Sequence, residues 1–210
     1  MAVARYGYSR SIFPHLLWWS VHEYPATMSP YDFALSLRLP FLGAYCGQDI
    51  WEQGIGHVIA ARRGPSGKVI FADFLLDVHC LGIKDVVLTC DKPATFDRII
   101  VTLEDRVNLS DCDASYARKL LDQGVAYAKS IGFPPSDTAI RALQLLHDAD
   151  PTRCSDVFTF GKDGKPFYVS GPYDSVERRQ EILATLERTC GSGMYDFTVH
   201  CGDVDPHAFE

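Results

Sequence analysis

The chain has 210 residues, 47% hydrophobic and 22% charged, a balance that lets it bury a sizeable core and excludes disorder along its whole length. A formal net charge of −7 excludes a broad nucleic-acid footprint. No run of about 18 apolar residues is present, so neither a spanning helix nor a membrane partner is expected.

Seven cysteines (Cys46, Cys80, Cys90, Cys112, Cys154, Cys190 and Cys201) fall at irregular spacings. None forms a C-x-x-C pair, so no zinc-ribbon or thioredoxin-type motif is present. Reduced, mostly buried thiols in a cytoplasmic protein are the expectation.

Residues 1–30 hold Tyr6, Tyr8, Phe13, Trp18, Trp19 and Tyr24. Left in water, that much aromatic surface would be adhesive. The segment reads as an aromatic N-terminal extension that covers the domain's own core or docks on a partner, with Trp18 and Trp19 as contact residues. Ile12 to Trp19 follows Arg5 and Arg10 in the manner of a signal peptide, but Pro14 and His15 interrupt it and no clean small-residue cleavage site follows. Residues 31–210 read as one α+β domain. A subdivision, if present, falls near residues 132–137, where Gly, Pro and Ser cluster.

Ser29-Pro30-Tyr31-Asp32 has the chemistry of a helix start. Phe33, Leu35 and Leu37 alternate, however, which leaves a strand open up to Pro40. Gly43-Ala44-Tyr45-Cys46-Gly47 follows. Its glycines allow close approach to the backbone, which makes Cys46 a candidate nucleophile.

Gly56 to Asp85 is the clearest signal. Val58-Ile59-Ala60 leads through Arg62 and Arg63, expected to be solvated at a hairpin tip, into Gly64-Pro65-Ser66-Gly67. There Pro65 presets φ and Gly67 accepts positive φ. Val69 to Leu76 is nearly all apolar and β-prone, the pattern of a strand covered on both faces. Val86-Val87-Leu88 is a third strand or the start of a helix. Phe96 to Leu103 has strand composition.

Asp111 to Ile131 reads as a helix, capped by Asp111 or Asp113 and stopped by Gly132. A second helix runs from Ser136 or Asp137 to His147 with Ile140, Leu143 and Leu146 on one face. Val157–Phe160, the Asp163-Gly164 turn and Phe167–Val169 read as a second hairpin. A third helix starts at Asp174 or Ser175 and ends near Cys190. Tyr195, Phe197 and Val199 alternate with polar residues, predicting a half-buried last strand.

The expected architecture is therefore α+β: an antiparallel or mixed sheet of two hairpins plus a C-terminal strand, with about three helices packed mainly on one face.

Two functional classes follow. The first is a cytoplasmic protein-interaction or regulatory subunit without its own catalysis, with no cofactor. Its partner is another protein or a second copy, and its contact residues are Trp18, Trp19, Lys162, Lys165, Tyr168 and Tyr173, a lysine-aromatic mixture. The second is a hydrolase. Asp73 and Asp77 share one strand face, and with Asp85 they form a carboxylate set of the type that holds a divalent metal for nuclease-like chemistry. His79 shares that face. Alternatively Cys46 acts as a thiol nucleophile with His57 or His79 as base.

Overall fold

The computed structural model describes residues 29–171 and 174–199. The N-terminal extension with Trp18 and Trp19, Tyr173, and the His200-Cys201 pair lie outside the described residues.

Five strands form an antiparallel sheet: β1 (Phe41–Gly47), β2 (Ile55–Arg63), β3 (Val69–Asp77), β4 (Gly82–Asp91) and β5 (Leu109–Cys112), in the order β4-β3-β2-β1-β5. The hairpin legible in the sequence joins β2 to β3. Pro65–Gly67 makes one 3-10 turn, with Ser66 and Gly67 at positive φ (57° and 74°). β3 lies between β2 and β4, and every one of its residues is buried. Its continuous apolar run is thus the signature of a strand covered on both sides. Val86–Leu88 belongs to β4.

Alternation along the strands sorts the core into two faces. Ile70, Ala72, Phe74 and Leu76 share one face with Val58, Ala60, Ala44 and Cys46. Ala117, Leu120 and Leu121 of α4 (Ala114–Ser130) pack on it. So do Ala142 of α5 (Asp137–Leu143), Leu145 and Leu146 of the turn that follows, and Phe33 of α1 (Pro30–Ser36). Each fully buried leucine here contributes roughly 1.5–3 kcal/mol of transfer free energy. α2 (Ile50–Gln53) adds Ile50 to the same cluster.

The opposite face carries Ile59, Ala61, Val69 and Phe71. α3 (Pro93–Val107) covers them with Phe96, Ile99, Ile100 and Leu103. α6 (Val176–Cys190) sets Ile182 and Leu186 against Cys80, Leu81 and Tyr168 beyond the β3–β4 turn. The class is α+β, with six helices among the described residues rather than three. None of them is long and apolar enough to cross a membrane.

The helix starts follow local chemistry. The side chains of Ser29, Asp113, Ser136 and Ser175 each accept a hydrogen bond from a first-turn N–H of α1, α4, α5 and α6. Ser29 thereby settles residues 30–36 as helix.

Four expectations are corrected. Phe96–Leu103 is helix, because its buried positions recur at three- and four-residue steps against the Phe71 face. On α5 the buried residues are Ala139 and Ala142 while Ile140 is 50% exposed, since the small alanines let the helix approach the sheet closely. The second hairpin is only a tip. Lys162 and Lys165 bridge around Asp163-Gly164, but residues 157–160 are not a strand. Their rings serve as packing instead: Phe158 and Phe160 lie 5.6 and 5.7 Å from Trp51, and Phe160 stacks on Tyr127 at 5.5 Å. The other expected arm is β6 (Phe167–Val169), which pairs in parallel with β7 (Asp196–Thr198) in a separate two-stranded sheet.

The fourth is Arg62, which is buried rather than solvated. Its Nε donates to Leu145 O at 2.6 Å, its Nη1 to Leu39 O at 2.8 Å, and its Nη2 to the Asp148 carboxylate. The side chain ties the hairpin to the loops around it.

Candidate functional site

The strand register decides which reactive groups meet. Asp73 pairs with Ile59, and His57 pairs with Leu75. The two are therefore diagonal neighbours on the face that carries Phe71. His57 Nδ1 lies 2.8 Å from Asp73 Oδ1, with both side chains largely buried. Burial works against the imidazolium, but the Asp73 charge and hydrogen bond outweigh it and raise the His57 pKa above its ordinary value.

Asp85 pairs with Leu75 and so falls on the same face. Partial desolvation and the nearby Asp73 charge raise its carboxyl, against a 2.6 Å hydrogen bond from Val86 N–H. Asp73 and Asp85 thus share one sheet face, and the side chain bonded to Asp73 is His57. The signal for it was the two-residue offset across a tight hairpin, which sets register.

Asp77 is engaged elsewhere. Four residues from Asp73 along an extended chain is about 13 Å, whereas donors to one Mg²⁺ or Mn²⁺ sit within about 2.0–2.6 Å of it. Asp77 Oδ1 instead accepts from the backbone N–H groups of His79 and Cys80, at 2.9 Å each, and shapes the β3–β4 turn. Burial is the main cause of its pKa being pushed up to about 6, partly offset by those N–H groups and by Lys84. The turn closes on Gly82 (φ 62°). A Cβ there would stand 2.7 Å from Ala128 Cβ and 2.8 Å from Gly124 O, so only glycine fits.

His79 lies in that turn with its ring 6.2 Å from Phe167, and its backbone carbonyl accepts from Tyr127 Oη at 3.1 Å. Burial and the Lys162 charge lower its pKa. Among the described residues no group of three or more His, Cys, Asp or Glu is arranged to hold a metal ion.

Cys46 is buried on the opposite face, beside Val58. The sheet separates it from His57, whose ring lies on the Asp73 side. Its neighbour is a second thiol. Cys112 pairs with Ala44 on the adjacent strand, so the two cysteines are diagonal, with Sγ atoms 3.0 Å apart. The hydrogen bond with Cys112 and burial push the Cys46 thiol far above its ordinary range, so it is not a thiolate at neutral pH. Cys46 and Cys112 line a cavity of about 430 Å³ together with Tyr116, Arg153, Cys154 and Asp156. Sequence spacing gave no hint of this pair, because 66 residues separate its members.

The contact residues proposed near the second turn divide. Lys162 Nζ sits 4.6 Å over the Phe167 ring, and Lys165 Nζ donates to Gly193 O at 3.0 Å. Tyr168 is fully buried and cannot meet a partner; its hydroxyl donates to Asp174 Oδ2 at 2.9 Å. The same oxygen accepts from Gly171 N–H (2.7 Å) and Lys84 Nζ (3.4 Å). Against the effect of burial, these donors hold the Asp174 carboxyl below its ordinary range. Beside this cluster the surface is apolar: Met194 is 57% and Phe197 42% exposed, and Phe197 stacks on Tyr195 at 6.2 Å.

Comparison with family models, with curated proteins and with solved structures gives no match.

Proposed function

We propose that this chain is a protein-interaction or regulatory subunit without catalysis of its own, and that it binds another protein through the surface around the Asp163-Gly164 turn and β7. The observation that carries the reading is the exposure of Met194 and Phe197 beside the segment that holds Lys162 and Lys165. Lys165 reaches the Gly193 carbonyl, and Phe167 pairs with Asp196, so the two chain segments make one surface. An isolated exposed apolar residue needs no explanation. Here an adaptable methionine and a stacked aromatic pair are rimmed by two lysines, which is the anatomy of an interface centre and its rim.

The free cysteines Cys46, Cys80, Cys90, Cys112, Cys154 and Cys190 support a reducing, cytoplasmic compartment.

The test is affinity purification of the tagged full chain from its native cells, beside a Lys165→Glu/Phe197→Asp variant, with bound metal measured on the same samples. A stoichiometric complex without metal is expected for the wild type, and at least a tenfold loss of partner for the variant. A complex indifferent to the variant overturns the surface. A monomer carrying stoichiometric metal that is lost on Asp73→Asn overturns the reading in favour of the metal-dependent hydrolase, of whose carboxylates Asp73 and Asp85 share one sheet face.

A further inference from the structure

We propose that Cys46 and Cys112 form a redox-active dithiol that a small neutral hydroperoxide converts to a disulfide, locking β5 to β1. The inference rests on the geometry of the thiol pair and is independent of the proposed interaction surface.

The two sulfur atoms are 3.0 Å apart, about 1 Å longer than a disulfide bond of roughly 2.05 Å. Rotation of the two side chains and a small shift of β5 close that gap. β5 can shift because it is a four-residue strand at the end of the sheet, held by β1.

The pair is asymmetric. Cys112 is half-buried and Cys46 is buried, and both line the cavity of about 430 Å³. An oxidant that enters therefore meets Cys112 first, with Cys46 behind it. Arg153 is the one cation among the described residues that line the cavity. Asp111, Asp113 and Asp156 make the rest of the lining acidic. That disfavours an anionic disulfide oxidant and selects a small uncharged one.

The chemistry balances in two steps. The Cys112 sulfur attacks the O–O bond of the peroxide as it gives up its proton. An S–O bond forms, the O–O bond breaks, and the departing alkoxide takes a proton to leave as alcohol, or as water from hydrogen peroxide. The Cys46 sulfur then attacks the sulfenic sulfur while giving up its proton. The S–S bond forms, the S–O bond breaks, and water leaves. Two thiols and one hydroperoxide become one disulfide, one alcohol and one water.

The consequence reaches beyond the two strands. β5 ends at Cys112, and Asp113, the next residue, caps α4 by accepting from Ser115 N–H. The disulfide therefore also fixes the start of α4, and it closes a loop spanning the 66-residue separation between its cysteines.

The test treats the reduced full-length protein with one equivalent of hydrogen peroxide, blocks remaining thiols, and maps peptides by mass spectrometry. One disulfide joining the Cys46 and Cys112 peptides is expected, reversed by dithiothreitol. The oxidised form should melt about 10 °C higher, from the closure of so long a loop. Cys46→Ser should leave a sulfenic acid on Cys112 that dimedone traps, and Cys112→Ser should give no disulfide. Mapping of the wild type does not depend on how either variant folds. A disulfide to Cys154 or any other cysteine overturns the assignment. So does survival of both thiols while free cysteine in the same tube is consumed.

Discussion

Asp77→Asn is expected to stabilise the protein at neutral pH and to have almost no effect in mild acid. Asp77 is buried, and its carboxyl titrates at about 6 rather than 3.8. The difference of about two pK units corresponds to about 3 kcal/mol spent on holding the charge inside at pH 7. The sign follows from linkage. Between pH 4 and 6 the folded chain holds a proton that the unfolded chain has lost, so stability rises as pH falls through 6 and levels off below 4. Asparagine keeps an oxygen to accept from His79 N–H and Cys80 N–H but carries no charge. Asparagine has one acceptor oxygen fewer for the Leu81 N–H that also bonds the carboxylate, which takes back about 1 kcal/mol. The net gain is about 1–2 kcal/mol at pH 7.5, or a rise of about 5 °C in Tm for a chain of this size. Thermal unfolding followed by circular dichroism at pH 7.5 and 4.5 measures it. Asp77→Ala supplies the contrast: both N–H groups lose their acceptor, costing about 2–4 kcal/mol at either pH. A variant Asp77→Asn that is destabilised equally at the two pH values would refute the account of Asp77 as a buried turn acceptor whose ionisation is strained.

Two further outcomes follow from buried charges. The His57 imidazole, followed by NMR titration, should have a pKa above 6.5 in the wild type and below 6.5 in Asp73→Asn, because burial then acts unopposed. In the wild type the stabilisation from this pair is complete below the unfolded pKa and is lost as pH rises through the folded one. Arg62→Ala should cost about 2–4 kcal/mol in urea unfolding, because it leaves the Leu39 and Leu145 carbonyls without their donor and opens a cavity, while the half-exposed Asp148 carboxylate passes to water.

Local chemistry was legible wherever it acts within a few residues. Gly64-Pro65-Ser66-Gly67 announced its turn, and the caps near Asp113, Ser136 and Ser175 announced helices, because a cap or a turn needs only its own backbone; at Ser29 the alternation of Phe33, Leu35 and Leu37 left helix and strand both open. The continuous apolar run of β3 told of cover on both faces for a similar reason: burial writes itself into composition. Phe96–Leu103 misled, since β-branched residues suit a helix once one side of it meets the Phe71 face. The rings of Phe158 and Phe160 likewise looked like strand alternation, and only the position of Trp51 and Tyr127 shows that they are packing.

The candidate sites were legible as residue types but not as partnerships. Sequence alone determined that this chain folds as α+β around the β2–β3 hairpin, and that Asp73 and Asp77 lie on one strand face. Tertiary structure decided the rest. Register placed His57, not Asp77, beside Asp73. Pairing of two strands distant in sequence brought Cys46 to Cys112, and the sheet between them kept Cys46 from His57. The physical reason is range. A hydrogen bond to a neighbouring N–H is encoded where it is made, whereas a contact between side chains across a sheet depends on how every strand between them is paired.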